Sequence, residues 1–248
     1  RNSRNARLRR RWALLVGMTT CAISTATTAA TITVNSLADD VFPDATGAIF
    51  DAAGAAVTLA STKCTLRMAI AAANLDLAVG GANGCTAGDS ESLAAPYPLP
   101  NGYADRIVFS AGLTGTINVN ATKFMSEAPA TFYSGTGVVS PNTTSALVVS
   151  RPLVITGNVD ANGVPTIALD GGLLANPAAN GRLMSFSDGN HQILTTVEVN
   201  QLKFQNARVV GASGGCVYSR ESVRMTSVHF DNCVAEGDAS TATAGGAL

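Results

Sequence analysis

The groups able to do chemistry in the second half of this 248-residue chain are few. They are Asp160, Asp170, Asp188 and Asp231, the arginines Arg151, Arg182, Arg208, Arg220 and Arg224, and His191 and His229. A glycoside hydrolase needs two carboxylates about 5–10 Å apart, one as acid and the other as base or nucleophile. Asp160 stands in Asp-Ala-Asn-Gly, Asp170 in Asp-Gly-Gly and Asp188 in Asp-Gly-Asn. These are turn sequences, in which the aspartate side chain accepts a backbone N–H two residues on. Calcium at Asp160 and Asn162 would need the ligand series of an EF-hand loop, which does not follow. No Gly-x-Ser-x-Gly elbow and no phosphate loop is present. His229 alternates with Val228 and Phe230, so it is expected to face outward. His191 and His229 stand at no metal-ligand spacing from the cysteines. No catalytic residue, cofactor or metal is expected from this set.

Cysteine is the other reactive type, at Cys21, Cys64, Cys85, Cys216 and Cys233. How these read depends on the N-terminus. Six of the sixteen basic residues (Arg1, Arg4, Arg7, Arg9, Arg10 and Arg11) fall in the first eleven positions, and no acid precedes Asp39. A short apolar run, Trp12–Ile23, and a small-residue stretch, Ser24–Ala30, follow. This is the layout of a secretory signal peptide, expected over residues 1–30 and cut after Ala26, Ala29 or Ala30. The apolar run would span only about 18 Å as a helix, short of a ~30 Å bilayer core, so no transmembrane helix is expected. Export would leave four cysteines in an oxidising compartment, an even number that suggests disulfides. Separations of 21 and 17 residues favour the local pairs Cys64–Cys85 and Cys216–Cys233, although three pairings are formally open.

Positioning these groups falls to short strands. Charged residues are only 13% of the chain and aromatics 5%, with 24 glycines, a mix that favours strands joined by tight turns. Without the basic leader, ten basic residues face seventeen acidic ones, so no surface for nucleic acid is expected. Thr31–Val34 reads as a strand running into the acidic loop Ala38–Thr46. The clearest helix lies within Thr62–Asn74, where Leu66, Ile70 and Ala73 recur at helical spacing and Thr62 could cap the start. Pro96–Gly102 is a breaker-rich linker, dividing an N-terminal domain (31–100) from a strand-rich region (101–248). The strand-like runs there are Arg106–Phe109, Thr116–Val119, Ala146–Ile155, Thr166–Leu169, Leu183–Phe186, Thr195–Phe204 and Ser222–Phe230. No helices separate them, which excludes a doubly wound sheet.

A repeat organises this region. Leu-Lys-Phe-Gln-Asn-Ala (202–207) recurs as Val-His-Phe-Asp-Asn-Cys (228–233), aligning Phe204 with Phe230 and Asn206 with Asn232 at an offset of 26. Gly214–Gly215–Cys216–Val217 is echoed by Gly245–Gly246–Ala247–Leu248 at an offset of 31. A fixed motif with variable insertion suits stacked coils, whose strands are constrained by neighbours while one loop varies. Phe204 and Phe230 would stack inside, Asn206 and Asn232 would form a ladder at the turn, and the glycine pairs would permit a tight bend.

The run Cys64–Asn74 (CTLRMAIAAAN) resembles the N-terminal domain named for its Cys-Ser-Leu-Arg-Glu-Ala signature, which precedes parallel β-helix repeats in large bacterial exported proteins. Thr31–Asp40, the Gly-Cys-Thr-Ala-Gly around Cys85, Ala104–Val119 and Arg151–Gly172 fall where such proteins carry similar segments. The Phe-x-Asn and Gly-Gly-Ala-Leu elements resemble repeats of polymorphic outer membrane proteins. Thr65 replaces the signature serine and Met68 its glutamate, and Asn follows Phe here by two positions instead of three. The resemblance implies a mainly β protein: a right-handed parallel β-helix whose helix Thr65–Asn74 covers the first coil, with Cys64–Cys85 closing the loop that holds it.

Parallel β-helices also house polysaccharide lyases and hydrolases. Their arginine base with clustered acidic calcium ligands, and the Asn-Thr-Asp, Asp-Asp and Gly-His-Gly elements of polygalacturonases, have no counterpart here. The expectation is therefore an exported bacterial surface or secreted structural protein, adhesin-like, whose partners are glycans or proteins of a host or the environment. The alternative is a carbohydrate-active enzyme with catalytic coils downstream of residue 248, since the chain stops inside a repeat motif.

Overall fold

The structure, a computed structural model, describes residues 29–89, 99, 102–119, 123, 125–126, 144–172, 181–188 and 194–237. The expected signal segment, apart from Ala29 and Ala30, and almost all of the expected linker lie outside the described residues, as do His191, Gly245 and Gly246.

The N-terminal region contains β1 (Thr31–Val34), an antiparallel pair β2 (Phe42–Pro43) and β3 (Ile49–Phe50), helix α1 (Leu66–Leu75) and a 3-10 turn, Gly81–Asn83. Three rounds follow: β4 (Asp105–Phe109), β5 (Gly115–Asn118), β6 (Met125–Ser126) and β7 (Thr144–Val149); β8 (Leu153–Thr156), β9 (Ile167–Asp170) and β10 (Arg182–Phe186); β11 (Thr196–Asn200), β12 (Lys203–Val210) and β13 (Val217–Ser219). A further round begins with β14 (Ser222–Thr226) and β15 (His229–Glu236). The rounds build three sheets. Sheet I has the order β1-β4-β8-β11-β14, sheet II β5-β9-β12-β15 and sheet III β6-β7-β10-β13. Every pairing in them is parallel except β6 with β7. The protein is thus mainly β, with parallel sheets and one α-helix among the described residues.

Register places like residues in rows through the core. In sheet I, Ile32, Ile107, Ile155, Val199 and Met225 are successive partners. In sheet II the row is Ile117, Leu169, Phe204 and Phe230. In sheet III it is Leu147, Met184 and Val217. Most of these side chains are fully buried, each contributing about 1.5–3 kcal/mol of transfer free energy, whereas Met225 and Phe230 in the last round are half-buried.

Three runs that read as single strands are each two. Ala146–Ile155 breaks at Ser150–Pro152, Thr195–Phe204 at Gln201–Leu202, and Ser222–Phe230 at Ser227–Val228. At the last two corners the backbone turns through a left-handed residue, Gln201 (φ 58°) or Ser227 (φ 53°), and an apolar residue follows. Leu202 is completely buried, so the corner carries the hydrophobic run from one sheet to the next without a polar break.

Helix α1 begins at Leu66, not near Thr62. Thr65 is its N-cap, with extended backbone, and its hydroxyl accepts the Met68 N–H at 3.3 Å. Thr62 lies a full turn too early, because Lys63 and Cys64 are tied outward, to Asn83 O and Asn35 Oδ1. Asp76, in left-handed conformation (φ 55°), ends the helix. Its alanines let all residues from Leu66 to Asn74 be buried, so α1 packs on β1, β2 and β7.

Candidate functional site

Both disulfides are present: Cys64–Cys85, with Cα atoms 4.8 Å apart, and Cys216–Cys233, at 5.2 Å. The first joins the residue before the helix cap to the strand-like bridge at Val79–Cys85. The second joins the approach to β13 to the middle of β15 in the next round. The bend before β13 uses Gly214 at φ 74°, where a Cβ would come within 2.2 Å of Val217 O; Gly215 beside it is buried.

Above these staples, sheet II carries a line of polar side chains. The rings of Phe204 and Phe230 stack at 5.5 Å and 17°. Two residues on, Asn206 (φ 54°) and Asn232 (φ 51°) both take the left-handed conformation that Asn tolerates. They do so within β12 and β15, not at a connecting turn. Asn232 Nδ2 donates to Asn206 Oδ1 at 3.1 Å, and Asn206 Nδ2 donates to Asp170 Oδ2 at 2.7 Å. Asp170 also accepts from Gln205 Nε2 and from the Gly172 N–H, each at 2.7 Å. Asp231 pairs with Lys203 at 3.0 Å, and Arg208 with Glu236 at 2.5 Å. His229 is exposed. Asp160 is a turn residue, accepting from the Asn162 and Val164 N–H groups. The bonds from Val164 and Asn162 hold its carboxyl below the usual value.

Asp188 has the Gly-Asn of its expected turn outside the described residues. It lies beside Glu221 of the following round, and its Oδ2 accepts from Thr195 Oγ1 at 3.3 Å. Glu221 Oε1 accepts the Asp188 N–H at 3.1 Å, and Oε2 accepts the Thr195 N–H at 2.7 Å. Burial pushes the Glu221 carboxyl above its ordinary value; the two N–H groups oppose this, and the Asp188 carboxylate adds to the rise. Close by, the Arg182 guanidinium sits 4.6 Å from the Tyr218 ring, and Arg220 Nε donates to the Tyr218 hydroxyl at 3.2 Å. Arg182 is buried and also donates to Ser213 O and Gly214 O. Both Glu221 oxygens are thus occupied by backbone donors. Chemically the group is a clamp across 188–195, with a carboxyl that retains its proton to higher pH than usual.

Glu221 was missed in the sequence because its partners lie 33 and 26 residues earlier, one round below. Arg67 was missed for the same reason. Its Nε and Nη2 each donate at 2.7 Å to the carboxylate of Asp39, with both side chains buried. Its Nη1 donates to Lys123 O and Ala146 O, and the guanidinium lies 5.1 Å from the Phe42 ring. Arg67 therefore locks α1 to the loop at Asp39 and to two segments of the first round, at Lys123 and Ala146.

The N-terminal region holds a cleft of about 380 Å³ between residues 47–49, 56–59 and 80–83, with no charged side chain in its lining. Among the described residues no three His, Cys, Asp or Glu side chains gather as metal ligands, and no helix is long and apolar enough to cross a membrane. The arrangement offers a polar face and clamped corners; among the described residues it presents no assembled nucleophile, base and oxyanion donor. No protein-family model, no curated protein and no solved structure matches the chain.

Proposed function

We propose that this chain belongs to an exported bacterial structural or adhesin-like protein built as a right-handed parallel β-helix. Helix α1 covers the first coil, as the resemblance to the Cys-Ser-Leu-Arg-Glu-Ala domain implies. The observation that carries the reading is the topology: sheets I, II and III gain strands in the same order in each round, all parallel apart from short β6. Such a rod is stiff because each strand is bonded on both sides, and it leaves loops free to vary for contact with a glycan or protein partner. The two disulfides fit an oxidising location outside the cytoplasm.

Protease treatment of intact cells making the full chain tests location, and retention of the purified exported protein on immobilised glycans or surface proteins tests adhesion. The expected outcome is cleavage on whole cells together with saturable retention. A protein confined to the cytoplasm with free thiols would overturn the reading. Depolymerisation of polygalacturonate or alginate that disappears in Glu221→Gln would replace it with an enzyme.

A further inference from the structure

The two disulfides are not equally placed. Cys64 and Cys85 are both buried beside the start of α1. Cys216 is completely buried as well, but its partner Cys233 is half-buried, in a strand whose other residues are all half-buried or exposed. A thiol reagent approaching the last described round meets Cys233. It reaches the first pair only after the segments around α1 have opened.

The round below shows what the second bond replaces. Cys233 stands in register with Ala207. Cys216 precedes Val217, the partner of Met184, and so stands over Leu183, whose N–H donates to the Cys216 carbonyl at 3.0 Å. Leu183 and Ala207 are both buried. The place that a disulfide fills between Cys216 and Cys233 is thus filled one round earlier by two apolar side chains, and the stack does not require a covalent bond there. The near half of β15 is held by the stacked Phe230 ring and the Asn232–Asn206 bond. Beyond Cys233 the strand has its ladder to residues 207–210 and the surface pair of Arg208 with Glu236. Such a pair contributes little, because water and salt screen it.

We propose that Cys216–Cys233 is a reducible latch: a dithiol reductant opens it while Cys64–Cys85 stays closed, and residues 233–236 then lift from β12. The step is thiol–disulfide exchange. A thiolate of the reductant attacks the Cys233 sulfur, and the bond to Cys216 breaks. Cys216 leaves as a thiolate and takes up a proton. The second thiol of the reductant then attacks the mixed disulfide, Cys233 is released as a thiol, and the reductant closes its own disulfide. Two electrons pass from reductant to protein. The lifted segment uncovers Ala207 and Val209, both buried in the oxidised protein, and leaves residues 207–210 as an unpaired strand edge. Reduction thus loosens one round and leaves the rest of the stack closed.

The test uses the purified full chain with both disulfides formed, so it stands apart from the export reading. Dithiothreitol is added under native conditions, samples are alkylated at intervals, and the labelled cysteines are located by mass spectrometry. Cys216 and Cys233 should be labelled about tenfold or more faster than Cys64 and Cys85, because opening near a strand end is easier than opening around α1. Hydrogen exchange of residues 233–236 should then quicken about a hundredfold, the loss of loop closure over a separation of 17 residues, while α1 keeps its protection. Equal labelling rates, or earlier labelling of Cys64 and Cys85, overturn the latch; so does unchanged exchange at 233–236 after reduction. The double variant Cys216→Ser, Cys233→Ser should exchange like the reduced protein without any reductant. Loss of protection in α1 in that variant would show that the bond holds more than its own round, and would overturn the proposal.

Discussion

Residues 29–89 and the three-sheet region solve the same problem differently. In the rounds from β4 onward, position is set by repetition. Ile107 meets Ile155, which meets Val199, and Phe204 meets Phe230, so each strand templates the next. The N-terminal region has no copy of itself to stack on. Beside its apolar packing it is held by singular polar contacts: Arg67 on Asp39, Asn74 Nδ2 on Val148 O, and Ala30 on Asp105. Apolar rows tolerate small errors because neighbours can close a gap, whereas a buried charge or amide has one acceptable geometry. A stack of parallel strands that extends by repetition therefore still needs a uniquely specified start.

The sharpest way to break this contrast is Arg67→Met. It removes the buried ion pair to Asp39 and the guanidinium bonds to Lys123 O and Ala146 O, and should cost about 3–5 kcal/mol in urea unfolding of the oxidised protein. Arg67→Met combined with Asp39→Leu should recover much of that loss; no recovery would mean that α1 is held by its apolar face alone. In the repeating region, Phe204→Ala should cost about 3 kcal/mol, near the lower end for such truncations, because Leu169 and Phe230 flank the hole. Half-buried Phe230→Ala should cost clearly less, and equal costs would show that the last round is as tightly packed as the inner ones. Replacing both members of either disulfide by alanine should cost about 3 kcal/mol, the loops being similar in length. The sharpening observation is location: hydrogen exchange should quicken around α1 without Cys64–Cys85, and along β15 without Cys216–Cys233.

The smallest expected effect is a pH dependence at Glu221. Its carboxyl titrates above the ordinary value in the folded protein, first through burial and then through Asp188. Its favourable contribution is therefore present at low pH and is lost as pH rises through the raised value. Melting temperatures taken from about pH 4 to pH 7 should fall relative to those of Glu221→Gln. A flat difference would show that the two backbone donors balance the Asp188 repulsion throughout.

Much of the repeating region could be read in advance. Thr31–Val34, Phe-x-Asn at 204–206 and 230–232, and the local cysteine spacings are carried by residue type and offset, because a period-two strand and a stacked repeat leave their marks within a few residues. The corners at Gln201 and Ser227 were hidden, since neither Gly nor Pro marks them and the apolar run continues through Leu202 and Val228. The helix was visible, but its cap was placed one turn early, because Thr62 and Thr65 look alike until Lys63 and Cys64 find their partners. Composition, the repeat and the turn roles of Asp160 and Asp170 were determined by the sequence alone. That Arg67 meets Asp39, that Glu221 clamps 188–195 and that Asp105 receives Ala30 was decided only by tertiary structure. Each joins residues 26 to 75 positions apart, and a buried polar contact leaves no periodic trace in the chain that makes it.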